Sequence, residues 1–256
     1  MVGIFRRGMY SMSKSFIGPA RKLLRYTKKF IKNGIVPVID YCRNRLRFKA
    51  AADPHKVIWV NPKTIRYRLK GGVKNRKKYG MGLILDGDWD LDVEIIDPEK
   101  RPKYKGIAAH FKHGVPWEET DLFKDDFAKK IKGGDLIRGR RSIQDLLGYY
   151  NDKIDGLYYS LKENGFLLPS KEHPEIDSMY VCIGRKGELI YTDAGVHRLF
   201  IAMHLNINPI PVKIWWRHKK WQKIRDSLFS RTGENYGSLA KRFSNHPDLK
   251  DIPPSL

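Results

Sequence analysis

The chain predicts an α+β fold: a small mixed sheet packed by helices, preceded by a basic helical extension. Three observations carry that prediction. Five short apolar runs, at 57–60, 81–85, 180–183, 188–192 and 210–215, are rich in β-branched and aromatic residues and are bounded by Gly, Pro or Asp. Two other segments, 143–164 and 196–205, repeat their apolar residues at helical spacing, so each must cover a sheet face. The stretch 188–214, ELIYTDAGVHRLFIAMHLNINPIPVKI, passes from strand to helix to strand across one glycine-bearing loop. At 256 residues the chain can bury one good core with extensions. The boundaries fall at 1–52 for a basic arm, 53–216 for the main domain and 217–256 for a basic C-terminal helix and tail.

The arm is the most cationic part. Of a net charge of +22, residues 1–50 hold 13 Lys or Arg against one acid, Asp40. From Pro19 to Gly34 the apolar positions Leu23, Leu24, Thr27, Phe30 and Ile31 form one helical face. The other face is Arg21, Lys22, Arg25, Lys28, Lys29 and Lys32. Two readings stand for it: contact with a polyanion, either nucleic-acid phosphates or an anionic membrane surface, or a solvated face of a helix packed on its own domain. The acid-poor start also fits a transit peptide, against which stand its lysines and the lack of a clear cleavage pattern. A second helix is predicted from Ile39 to about Ala51. Hydrophobic residues are only 41% of the chain and no apolar run approaches ~20 residues, so no membrane span is expected. The expected location is cytoplasmic, peripheral to membrane or nucleoid if the arm is used. Cys42 and Cys182 form no metal or redox pair, and are read as buried thiols of a reducing compartment.

The core opens with strands at Val57–Val60 and Ile65–Leu69 and a third over Met81–Leu85. Asp86, Asp88, Asp90 and Asp92 then alternate, which on a strand would aim four carboxylates at one face. Asp86 and Asp88 are therefore candidate Mg²⁺ ligands, with an Asx-type turn of solvated acids as the competing reading. Residues 116–131 predict a helix opened by Pro116 and closed by Gly133-Gly134. His110 and His113 lack a third ligand at zinc spacing. Ser142 to Gly165 predicts the longest helix, with Ser142 and Asp145 as a capping pair and a core stripe through Ile143, Leu146, Leu147, Tyr150, Ile154, Leu157, Tyr158 and Leu161. Just before it, Arg138, Arg140 and Arg141 cluster where a phosphate or solvent could take them. Gly184 to Gly187 predicts a hairpin turn between 180–183 and 188–192. Trp215 to Trp221 interleaves aromatics with cations. That pattern suits base stacking, but Trp221, Ile224, Leu228 and Phe229 also make a helical stripe, and packing is preferred. Gly233 to Leu256 reads as a loosely attached tail.

The loop Asp193-Ala-Gly-Val-His-Arg198 has the layout of an anion site. A helix N-terminus offers unpaired N–H groups and the positive dipole end, Gly195 allows close approach, and His197 and Arg198 add donors. Phosphate is the expected guest.

The string D-x-G-x-H-R at 193–198, then an apolar helix, then N-P-I-P-V at 208–212, resembles the ParB/sulfiredoxin superfamily, whose members carry G-[ECH]-[RH]-R at this turn. IDGLYYSLKENG at 154–165 and VIWVNPKTI at 57–65 resemble that family's "L..SI...G" helix and opening strand, so the likeness spans about residues 55–215. The resemblance implies nucleotide-phosphate binding at this turn, here by Gly195, His197 and Arg198, with a nucleoside triphosphate and Mg²⁺ as the implied cofactors. It places Val196 where sulfiredoxins carry their nucleophilic cysteine and many partition proteins a glutamate. Valine neither attacks nor transfers a proton, so sulfiredoxin chemistry is excluded there. Free-serine kinases of the same superfamily carry D-G-H-H-R, which makes a small-molecule kinase the alternative, with Asp193 as its candidate base. The 40 residues after 216 are too few for the DNA-reading apparatus of partition proteins and show no helix-turn-helix pattern. Sequence-neutral, salt-sensitive nucleic-acid binding and a peripheral membrane role remain as the other classes.

Overall fold

The computed structural model of the chain describes residues 36–71, 81–167 and 179–252, with side chains from 39 onward. The predicted helix 19–34, with all six of its cations, lies outside the described residues. The first described element is α1 (Val36–Arg47), starting a few residues before its predicted position.

The five predicted sheet strands form, the strand expected at Ile65–Leu69 joins them, and one strand, Val93–Ile95, was not predicted. In chain order they are β1 (Val57–Val60), β2 (Tyr67–Leu69), β3 (Leu83–Leu85), β4 (Val93–Ile95), β5 (Met179–Ile183), β6 (Leu189–Tyr191) and β7 (Ile210–His218). They make one mixed sheet in the order β1-β7-β5-β6-β2-β4. Strand β7 is its spine. One edge of β7 pairs antiparallel with β1 and, further along, parallel with β3, while the other edge pairs parallel with β5. The predicted hairpin joins β5 to β6, with Ile183 opposite Leu189 and the Gly187 N–H closing the turn on the Gly184 carbonyl at 3.1 Å.

Side-chain alternation gives the sheet two faces, each with its own core. Val181, Ile183, Leu189, Tyr191, Val212 and Ile214 face the helices in the larger cluster. Cys182, Ile190, Leu69 and Trp216 face the other way, against Trp89, Leu83 and Leu85. Trp216 shares the parity of Val212 and Ile214 and should face the helices. It does not, because the pairing with β5 jumps from Val181–Ile214 to Ile183–Arg217. One extra residue in β7 inverts every later side chain, which sends Trp216 to the second core and Arg217 to the first.

The helices that cover the larger core run α2 (Pro102–His113), α3 (Ala128–Lys132), α4 (Ile143–Tyr149), α5 (Asp155–Asn164) and α6 (Val196–His204). The predicted helix 143–164 is continuous but wider in the middle, a π turn over Tyr150–Ile154 joining α4 to α5. Ser142 caps it as expected, its Oγ accepting from the Asp145 N–H at 3.0 Å. Its predicted stripe is the buried face, with Leu146, Tyr150, Ile154, Tyr158 and Leu161 at 6% exposure or less. The predicted helix 116–131 is instead a 3₁₀ turn (Trp117–Glu119), a π turn (Leu122–Phe127) and only then α3. Helix α2 is not among the predicted helices, although Tyr104, Ile107, Ala108 and Phe111 repeat at helical spacing, and Gly106 sits in its middle. That glycine is there for contact: a Cβ would lie 2.8 Å from Leu122.

The C-terminal segment corrects its sequence reading. Helices α7 (Lys219–Ser230) and α8 (Tyr236–Phe243) and a 3₁₀ turn (Pro247–Leu249) put Trp221, Phe243 and Leu249 into the larger core. Asp248 fastens them. Fully buried, it accepts hydrogen bonds from Arg217 Nη2 at 2.6 Å and Trp221 Nε1 at 2.9 Å and pairs with Arg225 Nη1 at 3.1 Å. The tail is therefore anchored, by one carboxylate that neutralises two buried guanidiniums. Packing also holds for the tryptophans, since Trp216 and Trp221 are both fully buried.

Candidate functional site

Gly195 starts α6 with φ 87°, and a Cβ there would meet Met179 Cγ at 2.7 Å. Both the left-handed backbone and the packing on β5 require glycine, so its role is structural as well as permissive. No side chain caps α6. Its first-turn N–H groups are left to solvent or to a ligand.

His197 was expected to present an imidazole to the anion. The structure turns it inward instead, 3% exposed, with both nitrogens engaged. Arg138 Nη2 lies 2.7 Å from Nδ1 and the Tyr150 hydroxyl 2.9 Å from Nε2. A guanidinium only donates, so Nδ1 accepts and the proton sits on Nε2, which donates to the Tyr150 oxygen. Burial, and then the charges of Arg138, Lys103 and Arg198, hold the imidazole well below its ordinary pKa. It is a neutral strut behind Arg138.

Arg138 stands in a left-handed turn (φ 51°) between Ile137 and Arg140. Its second nitrogen donates to the Tyr149 hydroxyl at 2.9 Å, and its guanidinium lies 5.2 Å from the centre of that ring. Two successive tyrosines at the α4/π junction thus aim one arginine: Tyr149 directly, Tyr150 through His197. Arg140 stacks on the same Tyr149 ring at 4.2 Å and donates to the Arg138 carbonyl at 3.0 Å. Arg141 is exposed and does not line the cleft. Of the three clustered arginines, only Arg138 reaches the loop.

Arg138, Gly195, His197 and Arg198 share the wall of a cleft of about 860 Å³. Neither Arg138 nor Arg198 pairs with a carboxylate among the described residues. The cleft is also lined by Leu157, Leu161, Phe166, Leu167 and Tyr180, together with Asp152, Lys153 and Ser160, so its wall mixes apolar and aromatic surface with polar groups. Cations and apolar surface in one cleft match the two kinds of group in a phosphorylated organic molecule.

Asp193, the candidate base, is on the opposite side of the loop. Its carboxylate forms a fork with Arg68, Oδ1 to Nε at 2.5 Å and Oδ2 to Nη2 at 3.0 Å, and Arg68 also binds Glu94. Both Asp193 oxygens are occupied, and the side chain does not line the cleft. As a proton acceptor for a ligand in the cleft it is misplaced. Sequence spacing could not show this, because Arg68 lies 125 residues away on β2.

Asp86 and Asp88, the candidate Mg²⁺ ligands, are engaged by cations and are not aligned on a strand. Residues 86–92 are not on a strand, so their alternation does not put the four carboxylates on one face. Asp86 pairs with Lys219 at 2.9 Å, whereas Asp88 and Asp90 both take Arg185 at 2.7 Å. Ammonium and guanidinium groups already neutralise these acids, and a divalent cation would have to displace them. Among the described residues no group of three or more His, Cys, Asp or Glu is placed to hold a metal ion. His110 is likewise committed, stacked on Trp117 at 4.2 Å with Nδ1 2.8 Å from the Val115 carbonyl. Of the two cysteines, Cys182 is buried as expected but Cys42 is exposed. No helix of the described residues is long and apolar enough to cross a membrane.

No protein-family model matches this chain, and neither does any curated protein or solved structure.

Proposed function

We propose that the protein binds a nucleotide or another phosphorylated organic molecule in the Arg138/Arg198 cleft, with the phosphate over the Gly195 end of α6. The observation that carries this is the convergence of two arginines without acid partners among the described residues on an uncapped helix N-terminus, in a cleft that also offers apolar and aromatic surface. Arg138 is held ready by Tyr149 and His197, so little ordering is left to be done on binding. The ParB/sulfiredoxin-type phosphate loop remains part of this proposal, with His197 moved from direct contact to support. Mg²⁺ would arrive on the phosphates of a triphosphate, with Asp152 as the acid in the cleft lining.

The test is a melting screen of the full chain with nucleoside triphosphates, diphosphates and inorganic phosphate, with and without Mg²⁺. A ligand at 100 times its Kd adds about 2.7 kcal/mol of stability. Stabilisation that disappears in Arg198→Ala supports the reading, and equal stabilisation of wild type and Arg198→Ala refutes it. Phosphotransfer is not favoured by the geometry, because Asp193 faces away from the cleft. A separate reading concerns the arm: its 13 cations against one acid favour sequence-neutral contact with a polyanion, nucleic acid or anionic membrane.

A further inference from the structure

The phosphate loop has a second side. Behind it, Arg68, Ile96, Arg101, Pro102, Lys103, Asp126, Lys130, Tyr191, Asp193, Val196 and Phe200 enclose a pocket of about 230 Å³, separate from the cleft. Two of its polar groups stand out. Tyr191 is 2% exposed, and its hydroxyl finds no hydrogen-bond partner among the described residues. A buried hydroxyl left unsatisfied costs about 1–3 kcal/mol, so a fold that keeps one beside a pocket has a use for it or tolerates a loss. Lys103 lines the same pocket without an ion pair among the described residues, although burial, then Arg138 and Lys130, push its pKa down. The pocket's acids are already taken, Asp193 by Arg68 and Asp126 by Lys130 at 2.7 Å.

We infer that this pocket binds a small organic oxyanion, a carboxylate or a monophosphate, through the Tyr191 hydroxyl and the Lys103 ammonium. The two uncommitted groups are the Tyr191 hydroxyl, which can donate, and the Lys103 ammonium, which can only donate, and four cations against two acids in the lining favour an anionic acceptor as the guest. Tyr191 is suited to donate, since burial pushes its pKa far up and keeps the proton on the oxygen. The volume sets the size. A cavity of ~150 Å³ holds a benzene ring, so the 230 Å³ of this open pocket suits a short-chain acid or a three-carbon phosphate. Ile96, Pro102, Val196 and Phe200 would cover the carbon part of such a guest. The inference does not depend on what occupies the cleft.

Isothermal titration of the full chain with inorganic phosphate, glycerol phosphate, acetate and lactate tests it and separates the phosphate from the carboxylate source. The expected result, read in the Arg198→Gln background so that the cleft contact is removed, is saturable binding of at least one probe that is weakened tenfold or more by adding Tyr191→Phe or Lys103→Gln. Tyr191→Phe without ligand should melt at or above the wild-type temperature, because it removes an unpaired hydroxyl. Absence of any saturable binding in Arg198→Gln would leave the cleft as the anion site and overturn the inference. Absence of binding for all four probes, affinity undiminished by both pocket substitutions, or a lowered melting point for Tyr191→Phe would each overturn it as well.

Discussion

Arg138 and Arg198 differ in how they are held, and that difference predicts their mutants. Arg198 is a free guanidinium, so Arg198→Ala should cost ligand affinity about 1.5–3 kcal/mol, tenfold or more, with little change in melting temperature. Arg138 belongs to a chain of contacts running through His197 to Tyr150. Tyr150→Phe should therefore weaken both stability and binding, since it strands a buried imidazole N–H at a cost of about 1–3 kcal/mol and loosens the group that positions Arg138. Parallel urea titrations and nucleotide titrations of the two variants check the contrast. The depressed pKa of His197 also sets a pH dependence. The unfolded imidazole takes a proton near its ordinary 6.5, whereas the folded one resists it. Stability is thus full above that value and declines as the pH falls below it, by at most about 1.4 kcal/mol per unit for one such group. His204 and His246 shift in the same direction, so His197→Gln should flatten the decline between pH 7 and 5 without abolishing it. An unchanged slope in urea midpoints would show that His197 protonates freely in the fold.

At the scale of elements, two local devices place the cleft. The first is the αL start of α6 at Gly195. A side chain there meets both a strained backbone and Met179, so Gly195→Ala should destabilise by about 1–3 kcal/mol and distort the loop, which a urea midpoint and a ligand titration would show together. The second is the π turn Tyr150–Ile154. It lets the stripe of α4 and that of α5 both stay inward while Tyr149 and Tyr150 point to Arg138 and His197. The cap at Ser142 fixes where that helix begins. Ser142→Ala should cost about 1 kcal/mol and leave ligand affinity nearly unchanged, because the cap lies outside the cleft lining.

Across the whole molecule, Asp248 joins the C-terminal segment to β7 and α7. Arg217 and Arg225 draw its pKa far below the ordinary value in spite of burial. That contribution is present above the unfolded pKa near 3.8 and is lost as pH falls below it. Asp248→Asn leaves two buried guanidiniums without a counter-charge and should destabilise by about 3–5 kcal/mol, measured as the fall in urea midpoint. The arm at the other end is proposed to work through charge alone. Replacing Arg21, Lys22, Arg25, Lys28, Lys29 and Lys32 by Gln in the full chain should flatten the salt dependence of duplex DNA binding, each lost phosphate contact reducing the log–log slope by about 0.9. Binding whose salt slope is the same before and after would remove the arm as the contact.

The sequence by itself determined the periodic parts of this protein. Six strands, the helix stripe from Leu146 to Leu161, the Ser142 cap and the Gly195 turn are local patterns, set by side-chain alternation, helical spacing and backbone freedom, and all were legible. Helix α2 and β4 were not, although α2 repeats Tyr104, Ile107, Ala108 and Phe111 at helical spacing, because its stripe is interrupted by Gly106 and lysines and β4 is only three residues long. The candidate site was half legible. Gly195, Arg198 and Arg138 could be named from spacing and charge, but not what each one faces. Only the tertiary structure decided that His197 is a neutral strut, that Arg68 from a distant strand ties up Asp193, that Arg185 and Lys219 neutralise the aspartates after β3, and that Asp248 anchors the tail. Every one of these depends on the charge or hydrogen-bond partner brought in from far along the chain, and a side chain's chemistry is set by its partner as much as by its type.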